Sequence, residues 1–224
     1  MFESLTISDI TKKQCGILRK PTSTRPAIWR IEEKGVRAII KDFSYNGFWY
    51  RNIVGRFLIW REEKAYRRLK GLKGVPAYFK TLDGLALVVE EIQGTDIDNM
   101  EVVVQLNEKF YDDLKALIHN IHRRGLAHCD LKRTPNILLG KDGKPYIVDW
   151  AASISGREFR FFPLIFIYKR FQQDDLNAVT KIKLKYRPES VSPEEKQLYV
   201  SRSNAEITIR KVRKFLRDCL KKIA

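Results

Sequence analysis

The run His128-Cys129-Asp130-Leu131-Lys132, followed by Asn136 and then by Val148-Asp149-Trp150, constrains this chain more than any other feature. It sets a lone acid, a lysine, an amide and a second acid in one short segment. Before it lies a helical run, with Phe110, Leu114, Leu117, Ile118 and Ile121 at helical spacing and Gly125 as its stop. After it lies a short hairpin: Ile137-Leu138-Leu139, the turn Asp142-Gly143-Lys144, and Tyr146-Ile147-Val148. Phosphoryl transfer from Mg-ATP requires such a set of side chains. It needs a carboxylate for the acceptor hydroxyl, a cation for the moving phosphate and two oxygen ligands for magnesium.

A chain of 224 residues can bury a core, as one compact domain or as two small lobes sharing a cleft. Hydrophobic residues at 44% and charged residues at 31% describe a soluble globular protein. Lys and Arg number 43 against 27 Asp and Glu, for a net charge of +16. That excess attracts nucleic acid, anionic lipid head groups or phosphorylated ligands without choosing among them. Cys15, Cys129 and Cys219 are far apart and form no CxxC or metal-ligand spacing, which predicts reduced thiols in a cytosolic protein. Met1-Phe2-Glu3-Ser4 lacks the basic and apolar regions of a signal peptide. The greasiest stretch, Phe159 to Tyr168, contains Arg160 and Pro163 and falls short of the roughly 20 apolar residues a bilayer span needs.

The first 92 residues read as strands around one helix. Ala27 to Glu32 and Val36 to Lys41 are strand-like, joined by a turn at Glu33-Lys34-Gly35. Asn46-Gly47 is a turn signal. Arg56 to Lys70 has helical periodicity with Phe57, Trp60, the Lys64 stem and Leu69 inward; Gly71 and Gly74-Val75-Pro76 end it. Tyr78 to Lys80 and Leu85 to Glu90 form a hairpin around Asp83-Gly84. Gln93-Gly94-Thr95-Asp96 reads as a hinge. Helical patterning dominates from Glu101 on, and Val212, Phe215, Leu216, Cys219, Leu220 and Ile223 make one apolar stripe on a last helix. The expected architecture is α+β and bilobal: a small β-rich lobe over residues 1–92 and a larger helical lobe over 93–224.

Ile121 to Lys132 resembles the protein-kinase pattern of helix, glycine, then H-x-D-L-K, and Val36-Arg37-Ala38-Ile39-Ile40-Lys41 resembles the third-strand motif V-A-I-K with one inserted residue. The resemblance implies the protein-kinase-like fold with ATP and magnesium as cofactors. It makes Asp130 the catalytic aspartate and Lys132 the cation on the transferred phosphoryl group. It gives Asn136 and Asp149 the magnesium, and Lys41 the α/β-phosphates. A carboxylate from the next helix should fix Lys41. Glu62 and Glu63 both qualify, and Glu62 is preferred because Leu69 follows it by seven residues, as in the family. Glu90, Glu91 and Ile92 would offer backbone groups to adenine. His128 is expected to bond the backbone near the metal aspartate, and His119 and His122 to pack.

Asp130 to Asn136 is one residue longer than the usual pattern, with the extra residue around Arg133-Thr134-Pro135. This resembles a subset of bacterial kinase-like proteins related to RIO-type kinases and lipopolysaccharide-core sugar kinases. A basic, aromatic segment from Phe159 to Arg170, the pair Asp174-Asp175 opening a basic helix to Lys185, and Pro188 fit the same subset. There are departures. No G-x-G-x-x-G loop occurs, and Lys20-Pro21-Thr22-Ser23-Thr24-Arg25-Pro26 stands in its place. Trp150-Ala151 follows Asp149 where protein kinases have Phe-Gly, and Asp-Trp is similar to aminoglycoside and choline kinases. No A-P-E segment follows.

The acceptor implied is a hydroxyl, first a sugar of a lipopolysaccharide-core-like glycolipid at the cytoplasmic membrane face. The rival is a protein Ser/Thr hydroxyl, as for a RIO-like kinase acting near RNA. A third reading is a pseudokinase serving as a basic binding module. Arg157, Arg160, Lys169 and Arg170 flank Phe159 to Tyr168. That segment is either core with charged ends or a patch that dips into an anionic membrane. Lys181, Lys183, Lys185, Arg187 and the tail Arg210, Lys211, Arg213, Lys214, Arg217, Lys221 and Lys222 extend the charge. The location expected is cytoplasmic, peripheral on the inner membrane face, with nucleic acid the less favoured polyanion.

Overall fold

A computed structural model describes residues 2–99, 106–162 and 164–200. The proposed last helix and basic tail, with Cys219, lie outside these residues, as do Glu101 and Pro163. The chain divides into two units. One comprises residues 2–64 and 77–91, the other residues 65–76 and 92–200 of the described chain.

The first unit is built on a five-stranded antiparallel sheet. Its strands are β1 (Gln14–Arg19), β2 (Ala27–Glu33), β3 (Val36–Asp42), β4 (Tyr78–Leu82) and β5 (Ala86–Glu90), in the order β1-β2-β3-β5-β4. Lys34 and Gly35 both have positive φ, the backbone that a tight β2–β3 hairpin requires. Alternation decides the two faces. Ala27, Trp29 and Ile31 of β2, Ala38 and Ile40 of β3, and Ala86 and Val88 of β5 share one buried cluster. Phe2, Leu5 and Ile10 complete it, the last from helix α1 (Ile7–Lys13). Lys41, one position out of phase with Ile40, therefore faces the other way, in register with Ile28 on β2 and Leu87 on β5. Neither α1 nor β1 was evident in the sequence, because β1 is mostly exposed and carries no clean alternation.

After β3 a helix runs unbroken from α2 (Phe48–Tyr50) through a π-helical turn (Arg51–Gly55) into α3 (Arg56–Arg68). It starts a full two turns before the expected Arg56, and its phase also differs. Ile59, Glu62, Ala65, Tyr66 and Leu69 are buried, whereas Phe57 and Trp60 are exposed. The reading of Phe57 and Trp60 as inward is thus corrected. A phase that carries Glu62 to Lys41 puts both rings on the outer side.

The second unit holds α4 (Glu108–Arg123), α5 (Leu164–Tyr186) and α6 (Pro193–Val200). Asn107 caps α4 by accepting the Phe110 N–H at 3.0 Å. Gly125, at φ +71°, ends it with its N–H on the His122 carbonyl. A three-stranded sheet has the order β6-β8-β9, from β6 (Gly94–Asp96), β8 (Ile137–Gly140) and β9 (Pro145–Ile147). The segment read as a hinge is therefore partly strand, with Thr95 opposite Leu139. Gly94 permits that pairing, since a Cβ there would stand 2.5 Å from the Leu139 carbonyl oxygen. A small pair, β7 (Leu126–Ala127) with β10 (Ile154–Ser155), flanks the catalytic-type segment. Helix α5 begins at Leu164, so Asp174-Asp175 sit in its middle rather than opening it.

Gly74 and Gly143 have similar φ, +88° and +74°, but different surroundings. A Cβ on Gly74 would meet Leu117 Cδ2 at 2.6 Å and the Pro145 carbonyl at 3.0 Å, while one on Gly143 would meet nothing within 4 Å. Gly74→Ala should destabilise by about 2–4 kcal/mol and Gly143→Ala by only about 1 kcal/mol, as read from urea denaturation midpoints.

Candidate active site

In the first unit Lys41 Nζ lies 2.6 Å from Glu62 Oε2, with side chains 15% and 4% exposed. Glu63, the alternative partner, instead accepts the Thr81 hydroxyl at 2.8 Å. The choice follows from the helix: neighbouring positions point about 100° apart, so only one can face the sheet. Glu90 ends β5. Its N–H donates to the Ala77 carbonyl at 2.8 Å and its carboxylate accepts the Ala77 N–H at 2.9 Å. Its neighbour Glu91 pairs with Arg30 at 2.5 Å.

The segment Lys20 to Pro26, where a glycine-rich loop was absent, is held from within the same unit. Asn46 Nδ2 donates to the carbonyls of Thr22, Ser23 and Arg25 at 2.7, 3.1 and 3.2 Å, and Tyr50 donates its hydroxyl to the Thr24 carbonyl at 2.9 Å. In the sequence Asn46 carries only a turn signal.

The second unit contains Ile92, Asp130, Lys132, Asn136 and Asp149. Asp130 leaves β7 on the loop that leads into a 3-10 turn, Thr134–Asn136. Asn136 Nδ2 donates to the Asp130 carbonyl at 3.0 Å and lies 3.4 Å from its Oδ2. The Val148 N–H donates to the Asn136 carbonyl at 3.0 Å, which brings Asp149 beside this pair. Arg133 approaches Asp130 Oδ2 at 3.5 Å, and Lys132 Nζ lies 3.3 Å from Asp174 Oδ1. Arg170 meets the same Asp174 oxygen at 3.4 Å.

Asp175 is the residue whose role the sequence did not disclose. It is buried, and its two oxygens accept the backbone N–H of His128 at 2.8 Å and of Cys129 at 2.9 Å. His122 Nε2 lies 3.1 Å from the same carboxylate. The polar run Gln172-Gln173-Asp174-Asp175 gives no local signal of this role. His128 is fully buried. Its Nε2 meets the Val148 carbonyl at 3.0 Å, and Nδ1 faces the Asp130 N–H at 3.3 Å. That assigns a neutral ring with the proton on Nε2. The Trp150 ring packs edge-on against it, centroids 4.7 Å apart. Cys129, which precedes Asp130, and Asp149 itself both adopt left-handed backbone, φ +66° and +65°. Each such residue costs roughly 1–3 kcal/mol, and such strain clusters at functional sites.

The donor set suits magnesium. With Nδ2 of Asn136 on Asp130, its Oδ1 is the atom a hard cation would take, and Asp149 adds a carboxylate. Among the described residues no group of three or more His, Cys, Asp and Glu could hold a metal ion. Magnesium needs none, because it takes one or two protein carboxylates and completes its shell with water and phosphate.

The fold and this loop define a protein-kinase-like chain. Residues 49–162 match the RIO domain, a span that includes Glu62, Asp130, Lys132, Asn136 and Asp149 and covers just over half the sequence. The chain belongs to the RIO-domain family. Its fold is similar to that of the Rio2 kinase from Chaetomium thermophilum in the ADP/Mg2+-phosphoaspartate complex, at TM-score 0.57 and 18% identity over 88% of this chain and 66% of that one. A second structure of that Rio2 kinase matches at TM-score 0.59 and 17% identity over 86% and 65%. The chain thus spans just under two thirds of the length of those proteins. No curated protein matches it in sequence.

The residue inserted before Asn136 is anchored by Asp98. Its carboxylate takes the Thr134 hydroxyl, Lys185 Nζ at 2.8 Å and the Tyr186 hydroxyl at 2.5 Å. Burial works to raise its pKa, but the bonds from Lys185, Thr134 and Tyr186 outweigh it and hold the group at about 2, below the ordinary 3.8. Because the folded-state value is the lower one, the stabilisation is present above about pH 4 and disappears as pH falls toward 2. With the side chain 36% exposed, it amounts to on the order of 1 kcal/mol. Asp98→Asn should therefore be less stable than wild type at neutral pH and match it near pH 2, as followed by urea denaturation at a series of pH values.

Proposed function

We propose that this chain is a Mg-ATP-dependent phosphotransferase of the RIO type whose acceptor is a serine or threonine hydroxyl of a protein. The observation that carries the reading is the Lys41–Glu62 ion pair at 2.6 Å, both side chains largely out of water. Desolvating two charges offsets most of what their attraction returns, so such a pair is a poor device for stability. It is a good one for fixing an ammonium where phosphates bind.

In this reading Lys41 holds the α/β-phosphates, and backbone groups around Glu90 and Ile92 meet adenine. Asn136 and Asp149 supply magnesium with oxygen ligands. Magnesium, when bound, offsets charge on the phosphates. Asp130 orients the acceptor hydroxyl and takes its proton as that oxygen bonds the γ-phosphorus and the bond to the β–γ bridging oxygen breaks to release ADP, and Lys132 balances charge on the transferred group. The Rio2 structure is a complex with ADP, Mg2+ and phosphoaspartate, which supports the cofactors. The family match favours a protein acceptor over the glycolipid sugar first expected from sequence. The retained Lys41, Asp130, Asn136 and Asp149 speak against a pseudokinase.

Radiolabelled ATP offered to the chain with protein extract, a generic protein substrate or membrane glycolipid tests this. Label is expected in protein, stable to acid and to hydroxylamine. Asp130→Asn and Asp149→Asn should each lower turnover about a thousandfold or more with an unchanged circular-dichroism spectrum. Label confined to glycolipid, or a hydroxylamine-labile acyl phosphate alone, would overturn the acceptor. Unchanged turnover in either variant would overturn the site.

A further inference from the structure

One face of the first unit is unexplained by phosphoryl transfer. Phe48, Trp49, Ile53, Phe57 and Trp60, all on the α2–α3 helix, are each more than half exposed. The rings gather in two pairs along the helix, Phe48 with Trp49 at 5.5 Å between centroids before the π-helical turn and Phe57 with Trp60 at 6.0 Å after it, with the exposed Ile53 within the turn between them. Ile59 and Glu62 occupy the buried side, so the outer face is separate from the Lys41 pair. Soluble monomers seldom display so many large apolar groups together unless the surface binds something. Cations border the rings. Arg51 lies 5.6 Å from the Phe48 centroid, Arg61 5.6 Å from Phe57 and Lys64 5.0 Å from Trp60.

We propose that this helix face docks the protein on an anionic lipid surface, lying in the plane of the head groups. The rings enter the acyl boundary while Arg51, Arg61 and Lys64 meet lipid phosphates. Charge decides the occupant. The face is rimmed by cations and the chain carries +16. A second copy would set like charge against like charge. So would the segment 201–224, with Arg210, Lys211, Arg213 and Lys214. Single-stranded nucleic acid would suit the cations, but proteins that stack bases do so along a charged groove. These rings stand on the outer side of a helix. An anionic membrane supplies both the negative charge and the apolar interior. The same chemistry recurs in the second unit, where Phe161, Phe162 and Phe166 are exposed and Arg160 lies 4.7 Å from the Phe161 centroid. Of the two readings the sequence left open for this segment, the exposure of these three phenylalanines fits the surface patch and not the core. No described helix is long and apolar enough to cross a membrane, so the contact is with one surface.

The test mixes the full chain with phosphatidylcholine vesicles, with and without phosphatidylglycerol, at low and high salt. Trp29 and Trp150 are buried, at 6% and 0% exposure, whereas Trp49 and Trp60 are 67% and 51% exposed, so the emission change reports on this face. Expected are sedimentation with the anionic vesicles alone, a blue shift of tryptophan emission, and loss of both at high salt. The triple variant Trp49→Ser, Phe57→Ser, Trp60→Ser should bind about a hundredfold more weakly, with wild-type circular dichroism. The charge variant Arg51→Glu, Arg61→Glu should lose binding in the same way and serves if the triple variant fails to fold. No sedimentation with anionic vesicles, or undiminished binding by the variants, overturns the proposal. So does a wild-type dimer or a single-stranded RNA complex that the same substitutions break while vesicle binding persists.

Discussion

A single buried carboxylate organises the chemistry of the second unit. Asp175 accepts two consecutive backbone N–H groups, of His128 and Cys129, immediately before Asp130. Charge-assisted bonds of this kind are about twice as strong as neutral ones, and they hold Cys129 in a left-handed conformation that a cysteine would not choose. The turn that results sets Asp130 beside Asn136. His128 continues the chain of bonds to the Val148 carbonyl, one residue before Asp149. Two strained residues and two acids are thus fixed by one side chain and one neutral imidazole. Rigidity of this order is what positioning catalysis requires, because a displaced carboxylate loses its advantage within about an ångström.

The first unit solves a related problem with a helix. Glu62 must face β3, and that requirement sets the phase of α3 and turns Phe57 and Trp60 outward. A lysine bonded to a buried glutamate and a row of exposed rings are therefore two consequences of one helical register. The π-helical turn at Arg51–Gly55 lies directly upstream, and such turns change the register of the residues before them relative to those after.

Much of this was legible in residue order. The β2–β3 and β8–β9 hairpins and the stop at Gly125 follow from local rules of alternation, turn chemistry and capping, whereas the preference for Glu62 over Glu63 as the partner of Lys41 came from the kinase resemblance. What could not be read were features set by distant partners. The helical periodicity of Arg56 to Lys70 fits two faces, and only contact with Lys41 selects the one that buries Ile59 and Tyr66 instead of Phe57 and Trp60. Asp175 reads as half of an acidic pair opening a helix, since its partners are backbone groups some 46 and 47 residues away. Gly94 looked like a hinge residue because its close approach to Leu139 is a tertiary fact. Asn46 carried an ordinary turn signal and no hint of the three carbonyls it gathers.

The claim on which the account rests is that Lys41 and Asp149 each serve in binding Mg-nucleotide. Calorimetric titration of Mg-ADP into wild type, Lys41→Met and Asp149→Asn measures this without reference to any acceptor. The account predicts that each variant binds roughly tenfold or more weakly than wild type, and that omitting magnesium weakens the wild type but hardly affects Asp149→Asn. Wild-type affinity in either variant would contradict it.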